Sequence, residues 1–508
     1  MRNFFKTVAI VTVFSVSEKI LGFIYRIYLS KTIGEEGIGL YQVALSIFGL
    51  IYTACSSGIP VTVSRLITKY RAENNNRKVQ EVISAGITLT LLAVIPICII
   101  FFFFSNKFSF LFADERCLSI FLVVLPGLIF TSVYSVFRGV FWGTKDFLPY
   151  SIIELLEEIC MICCGIVLIN RATSVYQGAY RASVAVLISY LFSFTLSVCV
   201  FTIRKNKLKN PLSELKPLLI SSTPITAMRT ANSLAVSLVS IILPIRLVAC
   251  GISKSQAMSL FGAACGQTLP ILFIPTTLIG SFTLVLIPEI AENFYKKKHF
   301  YLKRDIEKAV KFSTMLSTIF VPIFFVCGEE IGVIVFGSAN CGKYLSASSF
   351  LMIFMCLSNL STSMLNSIGL EHKTLGYFVI GGVLMLASVW CLPKFVGIFA
   401  LLIGFAFVYV LTSILNLRLL DKNCKLKPQY LSHLLRVIAT IFPTCLFGIM
   451  LEKLLLPILG TFFTFVSCVI MIAIFNCALF IGFGAVKIDF AKTMLKKSLR
   501  RKLKTSKN

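Results

Sequence analysis

The chain has 508 residues, 57% of them apolar and only 14% charged, with a mean hydropathy of +0.88. That much apolar surface excludes an ordinary water-soluble protein, and runs near the ~20 residues that cross a hydrocarbon core recur from end to end. The formal charge of +27 would suit a nucleic-acid binder, but no polar domain is left to hold one, so nucleic acid is set aside as a partner.

The start, "MRNFFKTVAIVTVFSV", has a basic residue and an apolar stretch, but no small-residue cleavage site follows and "EKILGFIYRIYL" runs straight on. It reads as a first span, not a removed signal peptide. Apolar runs set against charged or Pro/Gly breaks predict about fourteen transmembrane helices, at roughly 8–30, 38–60, 82–104, 118–141, 150–170, 180–203, 218–245, 258–288, 309–327, 346–368, 374–392, 397–417, 432–450 and 459–485. The fold class expected is an all-α polytopic membrane protein.

If these spans alternate, the basic segments 64–78, 204–216, 295–311 and 418–427 fall on one side with the tail "KTMLKKSLRRKLKTSKN". The positive-inside bias then makes both termini cytoplasmic. The tail is expected to lie against anionic lipid. The seventeen cysteines are densest in "CMICC" (160–164), which sits mid-span without histidine, so they read as small apolar filler and no metal is expected.

The chain repeats itself. Arg26 is followed fifteen residues later by Tyr41 in "GIGLYQ", and Arg246 fifteen residues later by Phe261 in "MSLFGA". "GIPVTVSRLITKYRAENNNRKVQEVISAG" (58–86) parallels "LIPEIAENFYKKKHFYLKRDIEKAVKFS" (286–313), each with a Pro that closes a span before a basic link. "FRGVFWGTKD" (137–146) parallels "MLNSIGLEHK" (364–373) in the same order. The organisation expected is a six-helix lobe at 1–210, a second at 211–420, two added helices at 421–486 and a basic tail at 487–508. Two bundles of like orientation facing each other are a transporter's architecture, with cargo handled between them.

Charges inside the spans are the candidate site residues, because a guanidinium at bilayer depth costs at least ~2.5–3.5 kcal/mol. Arg26, in "SEKILGFIYRIYLSK", heads them; the plain alternatives are a pair with Glu18 two turns away, or snorkelling to the interface. Arg229 lies nearer mid-span, and Arg246 is the repeat mate of Arg26. Arg138 and Lys145 flank the cytoplasmic end of the fourth span, placed to meet the headgroup of an incoming cargo, with basic anchoring as the plain alternative. Glu154 stands three residues from Glu157 and four from Glu158, which puts at least two carboxylates on one helix face, to balance arginines or to bind a monovalent coupling cation. Gln267 follows Gly266 in the eighth span.

The stretches "EKILGFIYRIYLSKTIGEEGIGLYQ", "SSGIPVTVSRLITKYRAENN", "RGVFWGTKDFLP", "GQTLPILFIPTTLIGSFTLVLIPEIAE" and "LNSIGLEHKT" resemble the stage V sporulation protein B branch of the polysaccharide exporters. That branch lies in the multidrug/oligosaccharidyl-lipid/polysaccharide (MOP, MATE-like) superfamily, with the lipid II flippases. The resemblance implies two six-helix lobes plus two C-terminal helices, and alternating access. It implies a flippase or exporter in a bacterial cytoplasmic membrane, not an enzyme, moving an undecaprenyl-diphosphate-linked sugar for peptidoglycan, spore cortex or polysaccharide. Cell-wall synthesis proteins are the implied partners, with no cofactor beyond a coupling cation. It also implies a cargo role for Arg26, whose planar guanidinium suits a diphosphate. Where lipid II flippases place further charges in the eighth span, this chain has none.

Three rivals are weighed. "GSANCGKY" (337–344) nearly spells a P-loop, but Tyr344 stands where Ser or Thr must reach magnesium. An enzyme on lipid-linked sugars would need acid, base or metal residues on large outer loops, and the outer connections are short and lack histidine. A cation-coupled multidrug antiporter shares the expected fold and would favour an acidic cavity.

Overall fold

The computed structural model describes residues 2–204, 208–424 and 429–484. The basic tail and parts of the 204–216 and 418–427 links lie outside the described residues. All regular structure among the described residues is helical. This follows from the solvent: in hydrocarbon every backbone N–H and C=O must be satisfied within its own segment.

Contacts divide the chain into two compact units, residues 1–267 with 393–398, and residues 268–392 with 399–508. The first unit holds α1 (Arg2–Ser56), α2 (Ile59–Ala72), α3 (Asn76–Phe103), α4 (Glu115–Val124), α5 (Gly127–Gly143), α6 (Phe147–Ile169), α7 (Val175–Ile203), α8 (Leu212–Ala249) and α9 (Lys254–Phe261). In the second are α10 (Leu269–Tyr295), α11 (His299–Val326), α12 (Gly328–Ile331), α13 (Ala339–Ser348), α14 (Leu351–Ser367) and α15 (Glu371–Cys391). The short α16 (Pro393–Val396) belongs to the first unit, and α17 (Ala400–Cys424), α18 (Gln429–Ala439) and α19 (Ile441–Gly482) to the second. Because α8 packs on α1 and α3, contacts draw the boundary later than the sequence repeat does at 210/211.

Nine described helices are long and apolar enough to cross a membrane, or eleven if the bent pairs α4/α5 (44°) and α13/α14 (63°) each count as one. Two of those helices are themselves double: α1 is interrupted at Gly34 (φ 67°) and α19 at Gly460 (φ 70°), a backbone region that glycine enters without a Cβ penalty. With α6, which its three glutamates make too charged for a simple apolarity test, the fourteen expected spans are consistent with the helices described.

The second span differs from expectation. Pro60 does not close it but starts α2, at a position whose missing N–H is among the unpaired donors of any helix N-terminus. The helix then runs to Ala72, so the basic link shrinks to 73–75; likewise α10 reaches Tyr295 and α11 resumes at His299. Close packing secures α2 against α5. A Cβ at Gly139 would lie 2.5 Å from the Pro60 carbonyl oxygen, and one at Gly143 2.8 Å from that of Ser64. Without a hydrophobic drive between helices in lipid, such small residues let backbones gain contact.

In the second unit, the P-loop-like "GSANCGKY" is a helix start. Ser338 accepts the Cys341 N–H as the cap of α13, and a Cβ on Gly332 would meet the Gly342 backbone nitrogen at 2.4 Å. These glycines are spent on helix contact.

Candidate functional site

Five of the candidate residues meet in one cavity of the first unit. It has a volume of about 210 Å³ and is lined by Glu18 of α1, Arg138 of α5 and Glu154, Glu157 and Glu158 of α6, with Phe48, Tyr52, Thr131, Tyr134 and Tyr190 completing the wall. The helical period explains the assembly: 131, 134 and 138 share one face of α5, and 154, 157 and 158 one face of α6. At 1.5 Å per residue, Arg138 lies about 8 Å from the Gly143 end of α5 and Glu157 about 15 Å from the start of α6, so the charges sit well inside the helices.

Four carboxylates therefore surround one guanidinium. Arg138 reaches Glu154 Oε1 from Nη1 at 3.5 Å, the limit of a useful hydrogen bond, and donates from Nη2 to the Tyr52 hydroxyl at 3.3 Å. Its guanidinium carbon lies 5.3 Å from the centre of the Trp142 ring, a cation–π contact. Arg138 Nε and the Tyr134 hydroxyl are buried without a partner among the described residues. The long bonds from Nη1 and Nη2 leave the guanidinium able to take an anion, and carboxyls gathered in a poorly hydrated place keep negative charge only with a proton or a cation to offset it. Glu158 approaches α1 at Gly22, where a Cβ would lie 2.9 Å from Glu158 Oε1.

Arg26 is placed differently. It is half-buried on α1 and donates from Nη1 to the Gly266 carbonyl at 3.0 Å. Gly266 lies in a π-helical stretch, Gly262–Thr268, where the wider turn alters the i→i−4 ladder. The approach is possible because glycine lines it: a Cβ at Gly262 would collide with the Glu35 carbonyl oxygen, and one at Gly266 with the Ile38 side chain. Next to it, fully buried Gln267 donates from Nε2 to Ser30 Oγ at 2.7 Å, and its Oε1 finds no partner among the described residues. Arg26 and Glu18 form no ion pair; Glu18 lines the Arg138 cavity instead.

The remaining two arginines stand apart from the cavity lining. Arg229 is exposed on α8 and donates from Nη1 at 2.8 Å to the Ser57 carbonyl, in the break between α1 and α2. Arg246 is half-buried in the last turn of α8, where a cation suits the helix C-terminus.

Residues 4–294, more than half the chain, match the family model described as "Polysaccharide biosynthesis protein". The chain belongs to the polysaccharide biosynthesis protein family. Among curated relatives, it is 26% identical to Stage V sporulation protein B of Bacillus subtilis (strain 168), over 86% of this chain and 88% of that one. It is 22% identical to Lipid II flippase MurJ of the same organism, over 62% of this chain and 61% of that one. Among solved structures, an inward closed Lipid II flippase MurJ aligns with a TM-score of 0.69 at 15% identity, covering 93% of this chain and 98% of that chain. An inward-facing multidrug resistance MATE family transporter of the MOP superfamily aligns at 0.65 and 15% identity, covering 80% and 96%. The two-lobed, MATE-like helical fold expected from the sequence is thereby established, as is a multi-pass membrane protein.

In this family member, sequence reasoning missed the uncharged wall of the cavity: Phe48, Tyr52, Thr131, Tyr134 and Tyr190. Phe48 and Tyr190 stack with ring centres 5.7 Å apart. The signal available was the run Thr131, Tyr134, Arg138, which sets polar groups on the face that also carries the arginine.

Proposed function

We propose that the protein is a flippase that moves an undecaprenyl-diphosphate-linked sugar across the bacterial cytoplasmic membrane by alternating access, with both termini in the cytoplasm. The observation that carries this is Arg138: a guanidinium inside α5, held through Nη1 and Nη2 only by long bonds of 3.5 and 3.3 Å, in the lining of a cavity. A diphosphate offers the paired oxygens such a group is built to grip. The near full-length likeness to Stage V sporulation protein B supports the same class of cargo. Arg26 is a second phosphate ligand in this reading, exchanging its Gly266 contact for cargo, and Glu18, Glu154, Glu157 and Glu158 take up protons or a monovalent cation as the charge of the cavity changes. No other cofactor is required, and cell-wall synthesis proteins are the partners that would consume the cargo.

The test is complementation. A bacterial host is depleted of its lipid II flippase, this protein is expressed, and lipid II on the outer leaflet is measured. Restored exposure that Arg138→Ala removes supports the reading with lipid II as cargo; good expression without exposure moves the cargo to another undecaprenyl-linked sugar. The four carboxylates favour a second reading, a cation-coupled antiporter of cationic drugs. Ethidium efflux driven by a sodium or proton gradient, with no lipid-linked cargo moved, would select it. Orientation is checked with Glu73→Cys, expected to react with an impermeant thiol reagent only from the cytoplasmic side.

A further inference from the structure

A second cavity in the first unit shares no residue with the acidic one. It has a volume of about 340 Å³ and opens where α2, α5 and α7 end and α3 begins. Its floor is apolar and buried, made by Ile83 of α3, Phe137 and Phe141 of α5 and Phe201 of α7. Its mouth is polar and sits at helix ends: Arg71, Asn76, Asp146 and Arg204. Ile83 lies seven residues into α3 from Asn76, about 10 Å along the helix, whereas Phe141 and Phe201 stand near the ends of α5 and α7, so the apolar lining reaches from the mouth inward.

The two arginines are tethered but not used up. Arg71 donates from Nη1 to the Thr144 carbonyl at 3.1 Å. Arg204 pairs through Nη2 with Asp146 Oδ2 at 2.6 Å, and its guanidinium lies 5.7 Å from the Phe141 ring centre. The other N–H groups of both have no partner among the described residues. A free phosphate would satisfy the guanidiniums and leave the phenylalanine floor facing water. A bare acyl chain would fill the floor and leave the guanidiniums unmatched. An amphiphile with a phosphate at the interface matches both, and basic pockets between helix ends on one membrane face are where such headgroups bind.

We propose that this cleft holds an anionic phospholipid, with its phosphate between Arg71 and Arg204 and the first carbons of one acyl chain on the Phe137 and Phe201 rings, which lie 5.3 Å apart. The protein would thus carry a bound structural lipid at the end of the first unit where its basic links lie, outside the cavity assigned to cargo. Asp146 then acts as the resident counter-ion that the phosphate displaces.

The experiment is native mass spectrometry of the full chain released from nanodiscs of phosphatidylcholine containing phosphatidylglycerol, with the thermal midpoint as a second readout. The expected result is a retained phosphatidylglycerol on the wild type, held about fivefold less tightly by Arg71→Gln or Arg204→Gln. Asp146→Asn, which removes the competing carboxylate, is expected to strengthen retention. Val79→Phe, which narrows the cleft from its wall and leaves both arginines in place, is expected to abolish it. Unchanged retention in the arginine and Val79 variants would overturn the proposal. So would equal thermal protection by inorganic phosphate or glycerol 3-phosphate, which would make this a site for a soluble phosphate.

Discussion

The helix pair α5–α6 and its repeat counterpart α14–α15 follow one plan and fill it with opposite chemistry. Aligning 137–146 with 364–373 sets Arg138 opposite Leu365, and continuing at the same spacing sets Glu154, Glu157 and Glu158 opposite Gly381, Leu384 and Met385. Leu365 is fully buried. Gly381 lets α15 close on α17, where a Cβ would lie 3.0 Å from Val408 Cα, and Met385 packs on Gly404. One copy thus closes on itself with apolar contacts, and the other keeps a charged cavity open. A repeated backbone does not oblige repeated chemistry: at these four positions one copy lines a cavity with charge, and the other carries only glycine and apolar side chains.

The largest effect should come from erasing that difference. Giving the first unit its counterpart's residues, Glu154→Gly, Glu157→Leu and Glu158→Met together, is expected to abolish transport with the protein still in the membrane. Arg138→Ala alone should lower transport at least ~30-fold, since removing one member of a buried charge group strands the others. Arg138→Lys should recover only part, because a point charge cannot grip two oxygens at once. Leu365→Ala, the matching change in the second unit, should cost stability and leave the transport rate per folded molecule unchanged. Flux of lipid-linked cargo, normalised to folded protein, separates these outcomes.

A smaller effect tests the packing. Gly139→Ala drives a Cβ to within 2.5 Å of the rigid Pro60 carbonyl, and Gly381→Ala meets Val408 at 3.0 Å. Overpacking of this kind costs ~1–3 kcal/mol. The thermal midpoint in detergent should fall for both and further for Gly139→Ala; the reverse order would mean that α2 yields more readily than α17.

The smallest concerns acid. Asp114 caps α4 just outside the spans, and Arg116 bonds both to it and to Glu36 at 2.7 Å. Burial works to raise the Asp114 carboxyl, but the side-chain and backbone hydrogen bonds of Arg116 outweigh it and hold it below the ordinary value near 3.8. A carboxyl lowered in the folded state stabilises above its unfolded value, and that contribution is lost as pH falls through the folded one. Stability should therefore decline below pH ~4, and Asp114→Asn should flatten that limb while lowering the neutral plateau. A midpoint with the same acid dependence in the variant would remove Asp114 from the account.

The charged residues of the cavity were each visible in the sequence, because a span tolerates Arg or Glu only for a reason, but their grouping was not: Arg26 headed the candidates, Glu18 was read as its pair, and Arg138 as a residue at a span end. The uncharged wall was not visible. Tyr52, Tyr134 and Tyr190 are unexceptional in a membrane helix until the fold turns three different helices toward one point. The partner of Arg26 was equally hidden, since Gly266 offers its carbonyl only through a π-helical turn that nothing in "GAACGQT" announces. For the fold, hydropathy located the helices, but Pro60 was read as an end when its place at the first turn of α2 makes it a beginning.

The ring beneath Arg138 has a practical consequence. Trp142 is one of only two tryptophans, the other being Trp390 on α15. An indole in contact with a cation changes its emission when that cation is neutralised or drawn away. With Trp390→Phe, the protein becomes its own optical gauge, in which occupancy of the charged cavity is read as a change of colour and brightness in unlabelled membranes.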